Sequence, residues 1–233
     1  MNKATNLHCK PEYPSFLHYP VSKAAALTVF LALSLFCYLA FLVQTGNIPE
    51  WDKRLLLAFR SFPDGSRFIR PEMFEQAMKD FTALGGTAVQ NLIGFIVILY
   101  LSLVRRFRLA LVLSGILIGG LLVSSSLKYV FNRPRPDIVS HLSYIFTQSF
   151  PSGHSMMSAI TFLTCAILFS RSQPQPVRIF MISCAVLLTF LVGSSRVYLG
   201  VHWPSDVLAG WSLGLAWIVF WLGIVFRENR KFR

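Results

Sequence analysis

Long unbroken runs of apolar residues, separated by short polar and basic stretches, dominate this chain. A bilayer's hydrocarbon core of roughly 30 Å needs about 20 mostly apolar residues as a helix. Six runs come close to that length: about Val21–Val43, Ala88–Val104, Leu109–Tyr129, Ser152–Phe169, Val177–Gly193 and Ser205–Phe226. The runs are continuously apolar and do not alternate over about ten residues, which favours helices over a barrel. The first exceeds a signal-peptide core, and no A-x-A-like cleavage site follows it, so it is expected to be an uncleaved span. The pattern predicts an all-α fold: one domain over residues 1–233, built as a six-transmembrane helix bundle.

The longest connection, Gln44–Thr87, has a different pattern. It mixes six basic with six acidic residues and spaces its apolar ones as a helix would: Trp51, Leu55, Phe59 and Phe62, then Phe74, Met78 and Phe81. This predicts an amphipathic interfacial segment between the first two spans, one or two helices lying on the outer membrane surface.

Composition agrees with a membrane protein. The chain is 54% hydrophobic and 14% charged, against about 25% charged for an average soluble domain. A net charge of +12 would raise nucleic acid as a partner, but no nucleic-acid-binding motif accompanies it. Its distribution fits membrane orientation instead. The N-terminal tail (Lys3, Lys10, Lys23), the loop after the second span (Arg105, Arg106, Arg108), the loop after the fourth (Arg171, Arg178) and the C-terminal tail (Arg227, Arg230, Lys231, Arg233) fall on one side. That side carries 12 basic and 2 acidic residues, and the other 10 and 8. Both termini are therefore expected on the cytoplasmic side of a cytoplasmic (inner) membrane. Cys9, Cys37, Cys165 and Cys184 form no C-x-x-C pair, which argues against a disulfide framework or structural zinc.

The unusual residues collect around two loops on the opposite, periplasmic or extracellular side, Val130–Pro151 and Ser194–Pro204. The first region holds Lys128, Arg133, Arg135, Asp137 and His141, then Pro151-Ser152-Gly153-His154; the second holds Ser195, Arg196, His202 and Asp206. Ionisable groups at a membrane are costly and mark function by default. Snorkelling would account for one or two cations, not for three with two histidines and an aspartate. Clustered Lys and Arg suit phosphate. A helix beginning at Ser152-Gly153 would add free N–H groups, with glycine allowing a phosphate oxygen close. His202 and Asp206, four apart, would share a helix face if the sixth span starts near Pro204. The carboxylate would then fix the imidazole tautomer and aim its other nitrogen outward as a nucleophile. His154 could protonate a leaving oxygen. The three cations would repel a metal ion and do its neutralising work, so neither metal nor other cofactor is expected.

Three motifs in this order resemble the type 2 phosphatidic acid phosphatase (PAP2) superfamily, which includes haloperoxidases and acid phosphatases. Lys128 with Arg135-Pro136 fits K-x6-R-P, Pro151-Ser152-Gly153-His154 fits P-S-G-H, and Ser195-Arg196 with His202 and Asp206 fits S-R-x5-H-x3-D. They form a motif core at about 128–206, and six spans resemble the membrane branch of the family. The resemblance implies that Lys128, Arg135 and Arg196, with Ser152 and Gly153, hold phosphoryl oxygens. It implies that His202 attacks phosphorus to give a phosphohistidine, Asp206 orients His202, and His154 is the general acid, then the base. Arg133 stands outside the motif positions, as a surface charge or a second phosphate contact. Leu84-Gly85-Gly86 is also similar to a feature of such proteins.

The expected function is hydrolysis of a lipid phosphate monoester or diphosphate at the extracytoplasmic face: phosphatidic acid, phosphatidylglycerol phosphate or undecaprenyl diphosphate. The partners are then the lipid substrate and membrane lipids. A lipid phosphotransferase would use the same residues. An anion transporter would need polar groups near the bilayer midplane, where the spans have almost none, and intact motif positions argue against an inactive binding protein of the same fold.

Overall fold

A computed structural model describes residues 23–46, 48–60, 71–143 and 147–228. Among these, eight helices follow one another: α1 (Lys23–Gln44), α2 (Glu50–Arg60), α3 (Pro71–Leu84), α4 (Thr87–Leu103), α5 (Phe107–Phe131), α6 (Gly153–Ser170), α7 (Gln175–Tyr198) and α8 (Pro204–Glu228). Six match the six apolar runs. Phe62 and residues 1–22 and 229–233, with Lys3, Lys10, Arg230, Lys231 and Arg233, lie outside the described residues, while Lys23 begins α1 and Arg227 lies in α8.

Five helices, α1 and α5 to α8, are long and apolar enough to cross a membrane. The sixth crossing is short. α4 has 17 residues, about 26 Å at 1.5 Å per residue. It becomes long enough only when α3 is counted with it, across a 46° bend at Gly85-Gly86. Large apolar side chains on the outer faces, including Phe30 and Phe41 on α1, Phe95 on α4 and Phe180 on α7, are exposed. In water such a belt would be an aggregation surface; against lipid tails it costs nothing, because helices satisfy their own backbone groups.

The core is built around α6, which packs against both α7 and α8. Ile116 of α5, Met156 and Ile160 of α6, and Leu213 and Ile218 of α8 form its largest buried cluster. The α6–α8 contact is close because α8 presents glycines one turn apart. A Cβ at Gly210 would stand 2.6 Å from the Ser152 carbonyl oxygen, and one at Gly214 would stand 3.0 Å from that of Met156. This is the small-x-x-x-small arrangement by which membrane helices approach backbone to backbone.

In its described residues the segment between the first two spans forms two amphipathic helices, as its pattern predicts, but much of their apolar face is turned onto protein. Leu56 of α2 is fully buried with Val197, Trp203 and Val207. Phe74 and Met78 of α3 pack on Tyr198, Leu199 and Val201, with the Phe74 and Tyr198 rings edge to face at 5.0 Å. α2 and α3 thus clasp the end of α7 and the turn that follows it.

One boundary differs from expectation by more than a turn. The fifth apolar run stops at Gly193, yet α7 continues to Tyr198, so Ser195 and Arg196 are helical. Ser194-Ser195-Arg196 breaks the apolar run without breaking the helix. The stop comes at Gly200, with φ +74°. There the Gly200 N–H donates to the Val197 carbonyl (2.9 Å) and the Val201 N–H to that of Arg196 (3.2 Å), the paired bonds of a Schellman motif.

Candidate functional site

The α3–α4 bend, the α5–α6 connection and the α7–α8 turn meet at one end of the bundle around a cavity of about 350 Å³. Its lining includes Lys128, Arg135, His154, Arg196 and His202. The other three predicted site residues lie directly behind them. A Cβ on Gly153 would stand 3.6 Å from Lys128 Cε. Ser152 donates its backbone N–H to the Asp206 carbonyl (3.0 Å). Asp206 Oδ2 lies 3.3 Å from His202 Nδ1. The two loops that the motifs span therefore converge on one site.

Local rules place each group. Ser152 caps α6 through its hydroxyl, accepting from the Ser155 N–H (3.4 Å), so the first turn of α6 presents its free N–H groups near Lys128. The Schellman turn delivers Val201-His202, and Pro204 starts α8 at once. Asp206 then sits at the third helical position and accepts from the Trp203 N–H (2.9 Å), one arm of a capping box. That bond holds the carboxylate beside the His202 ring.

An ionised carboxylate only accepts, so His202 Nδ1 carries the proton toward Asp206, and the Nε2 lone pair faces Arg135, whose Nη1 lies 3.3 Å away. His202 is 1% exposed. Burial first, then the charges of Arg135, Arg196 and Lys128, hold its imidazole well below the usual histidine range. It is a neutral ring with an unprotonated Nε2, the form a nucleophile needs. Burial also lowers the Arg135 guanidinium, to about 10, against the pull of Asp206; it remains a cation at neutral pH.

The three cations are held by groups that are not themselves fixed letters of the three motif patterns. Arg135 Nε donates to the Thr147 carbonyl (2.8 Å) and its Nη1 to that of Val201. Lys128 Nζ donates to the Gln148 carbonyl (2.8 Å) and the Thr147 hydroxyl (3.2 Å). Arg196 Nη1 donates to the Thr82 hydroxyl of α3 (2.7 Å), while its buried Nε has no hydrogen-bond partner. An unpaired guanidinium N–H beside two other cations is a place for an anion. No carboxylate is among the described residues that line the cavity. Among the described residues, no three His, Cys, Asp or Glu side chains cluster as metal ligands. Asp137 is exposed, and His141 Nε2 lies 2.6 Å from the Pro136 carbonyl.

Sequence reasoning misread one residue here, Arg133, and passed over two, Asp52 and Ser149. Arg133 is neither a surface charge nor part of the described cavity lining: it is 5% exposed and bonds Asp206 Oδ1 through Nη1 (2.5 Å) and Asp52 Oδ2 through Nη2 (3.0 Å). Asp52, on α2, is completely buried. Burial raises its carboxyl above the usual carboxylate range, against hydrogen bonds from Ser205 and the charge of Arg133. The one signal in the sequence was an acidic residue within the apolar stripe of α2, between Trp51 and Leu55. Ser149 was also passed over: its hydroxyl donates to Asp206 Oδ2.

Comparisons with known proteins point to one family. The profile of the PAP2 superfamily matches residues 106–230, more than half of the chain. Phosphatidylglycerophosphatase B of Bacillus subtilis is 40% identical over 114 residues, covering 47% of this chain and 54% of that protein. Undecaprenyl-diphosphatase of Sulfolobus acidocaldarius is 35% identical over 121 residues, covering 50% and 53%. The chain thus spans about half the length of these relatives. Among solved structures, the transmembrane PAP2 type phosphatidylglycerolphosphate phosphatase from Bacillus subtilis superposes with a TM-score of 0.70 at 27% identity, covering 86% of this chain and 96% of that one.

Proposed function

Because the chain belongs to the PAP2 superfamily, we propose that it is an integral membrane phosphatase that hydrolyses a lipid phosphate monoester or diphosphate at the extracytoplasmic face of a cytoplasmic membrane. The observation that carries this reading is the His202 ring: neutral, steered on one nitrogen by Asp206, with the other turned to a cavity it shares with His154 and three cations.

The chemistry runs in two displacements. A phosphoryl group binds between Lys128, Arg135 and Arg196, with the α6 N-terminus at Ser152-Gly153 adding backbone donors. The His202 Nε2 lone pair attacks phosphorus as the bond to the leaving oxygen breaks. His154 supplies a proton to that oxygen, and a phosphohistidine remains. Water then attacks phosphorus, its proton passes to His154, and inorganic phosphate leaves with Nε2 restored. The cations neutralise charge on the equatorial oxygens throughout. The proton on Nδ1 stays with His202, and Asp206 offsets the positive charge that the ring gains.

The substrate class follows from the lining. Three cations and no carboxylate among the described lining residues favour an anionic head group. The exposed apolar belt keeps the lipid tails in the bilayer. The names of the relatives point to phosphatidylglycerol phosphate and undecaprenyl diphosphate; phosphatidic acid offers the same phosphoryl group.

The test is phosphate release by the purified full chain from a panel of lipid phosphates and diphosphates, with a chelator present. His202→Ala is expected to lower release by about 1,000-fold or more while eluting in the parent's detergent-micelle profile. Substantial turnover by that variant would refute the nucleophile.

A further inference from the structure

Behind the site runs a row of three buried charges, of which only Asp206 is a motif residue: Asp52, Arg133 and Asp206, which are 0%, 5% and 0% exposed. Asp206 divides its oxygens. Oδ2 faces His202 Nδ1, the Ser149 hydroxyl and the Trp203 N–H, while Oδ1 takes Arg133 Nη1. Arg133 is in turn fixed through both Nη atoms. Its Nη1 also donates to the Ser205 hydroxyl (2.7 Å), its Nη2 reaches Asp52 Oδ2 (3.0 Å), and its guanidinium sits 5.6 Å from the centre of the Trp203 ring. Asp52 closes the set by accepting the Ser205 N–H (2.7 Å) and the Ser205 hydroxyl (2.5 Å).

The geometry points to Asp52 and Arg133 as positioning residues for the proposed hydrolysis: Arg133 holds the Asp206 carboxylate in the orientation that steers His202, and Asp52 holds Arg133. The proposal rests on the reading of His202 as nucleophile. It makes α2, an element outside the matched family region, part of the active site without touching substrate.

Two arguments support it. Buried ion pairs are seldom a route to stability, since apolar groups of the same volume hold a fold at least as well. Here the row ends on the carboxylate behind the candidate nucleophile. Second, the bonds are directional. With Oδ1 taken by Arg133, the carboxylate cannot turn about its Cβ–Cγ bond without breaking a charged hydrogen bond, so Oδ2 stays at Nδ1. With Arg133 absent, Asp206 would be a buried anion with one unpaired oxygen, held only through Oδ2 by the Trp203 N–H and the Ser149 hydroxyl. The rival role is purely structural. Trp203, preceding Pro204, has no side-chain oxygen to cap α8, and Asp52 satisfies an N–H of the first turn in its place. The test must separate the two.

The experiment uses the purified full chain in detergent with a short-chain phosphatidic acid, read as kcat, KM and the inhibition constant of inorganic phosphate. Arg133→Met is expected to lower kcat about 100-fold, with KM and the phosphate constant within about threefold. Arg133→Lys, which keeps the charge and one donor, should recover about tenfold of that loss, and Asp52→Asn should lower kcat about tenfold. Because Asp52 acts through Arg133, the double variant Asp52→Asn/Arg133→Met should be no slower than Arg133→Met alone. Losses that multiply, or a phosphate constant that weakens in step with kcat, would overturn the proposal in favour of a structural cap. A parent-like kcat for Arg133→Met beside an inactive His202→Ala would overturn it too, while leaving the nucleophile standing. Turnover by His202→Ala would remove both. Should Arg133→Met fail to fold, Asp52→Asn and Arg133→Lys decide by the same ratio of kcat loss to phosphate affinity.

Discussion

The two halves of the site differ in kind. The α5–α8 half supplies the groups that face the cavity as charges or bases: Lys128, Arg135, His154, Arg196 and His202. The α2–α3 half supplies none of these, yet it holds several in place, with Thr82 accepting from Arg196 and Asp52 anchoring the pair of Arg133 with Asp206. The first half can be read as spacing along the chain, because its members sit in two short stretches closed by a helix cap and a Schellman turn. The second reaches across 114 residues from Arg196 to Thr82 and 153 from Ser205 to Asp52. Chemistry is local in this protein, and orientation is not.

The sharpest way to break the first half leaves every motif residue intact. Gly210→Ala places a Cβ 2.6 Å from the Ser152 carbonyl oxygen and about 3 Å from Ser155 Cβ and Met156 N. Two of those atoms are backbone, so α6 must move. Such overpacking costs about 1–3 kcal/mol, and a 1 Å displacement of Ser152–His154 would cost about 100-fold in kcat. We expect a lower melting temperature together with that loss of phosphate release. Parent-like values of both would mean that the α6–α8 approach does not set the site.

The second half should yield smaller effects at each position. Thr82→Val keeps the shape and removes the acceptor for Arg196 Nη1, leaving a buried guanidinium with both Nη1 and Nε unpaired. A lost hydrogen bond to a charged group is worth about 1.5–3 kcal/mol. Without Thr82 the guanidinium is no longer aimed, so part of the phosphate's binding energy goes into ordering it. The expected result is about a tenfold fall in kcat/KM, or about 1.4 kcal/mol, carried mostly by KM. A loss confined to kcat would move Thr82 from holding the cation to shaping the transition state.

These differences explain what the sequence could disclose. Hydropathy located α1, α4, α5, α6 and α8 to within two residues, since each is bounded by a polar or basic break where the helix itself also ends. It ended α7 five residues early, because Arg196 is polar yet belongs to a helical turn whose partner, Thr82, is remote. The eight motif residues were legible because capping and turn chemistry bring neighbours in sequence together. Asp52 was not. Within α2 it reads as one of two acids among five charges, and only the packing of Leu56 against Trp203 and Val207 turns its side chain inward. Arg133 was visible, but its partners Asp206 and Asp52 stand 73 and 81 residues away.

Acid should separate the two halves with opposite signs. His202 is held neutral in the fold, well below its value of about 6.5 in an unfolded chain. As pH falls below about 6.5 the unfolded state takes up a proton that the folded state refuses. Stability then drops with acid, by up to about 1.4 kcal/mol per pH unit from this one group. His202→Asn removes that uptake, so its melting temperature should fall less steeply than the parent's between pH 7 and pH 5. Asp52 is raised above its unfolded value. Its ionised form is the costly one in the fold, and the cost is relieved as pH falls through the raised value toward 3.8. Asp52→Asn abolishes that relief and should make the decline slightly steeper at the acid end, the smallest effect predicted here. Melting curves at half-unit pH steps in one detergent would read both slopes, and equal slopes for the two variants would mean that the halves do not differ in how they bury charge.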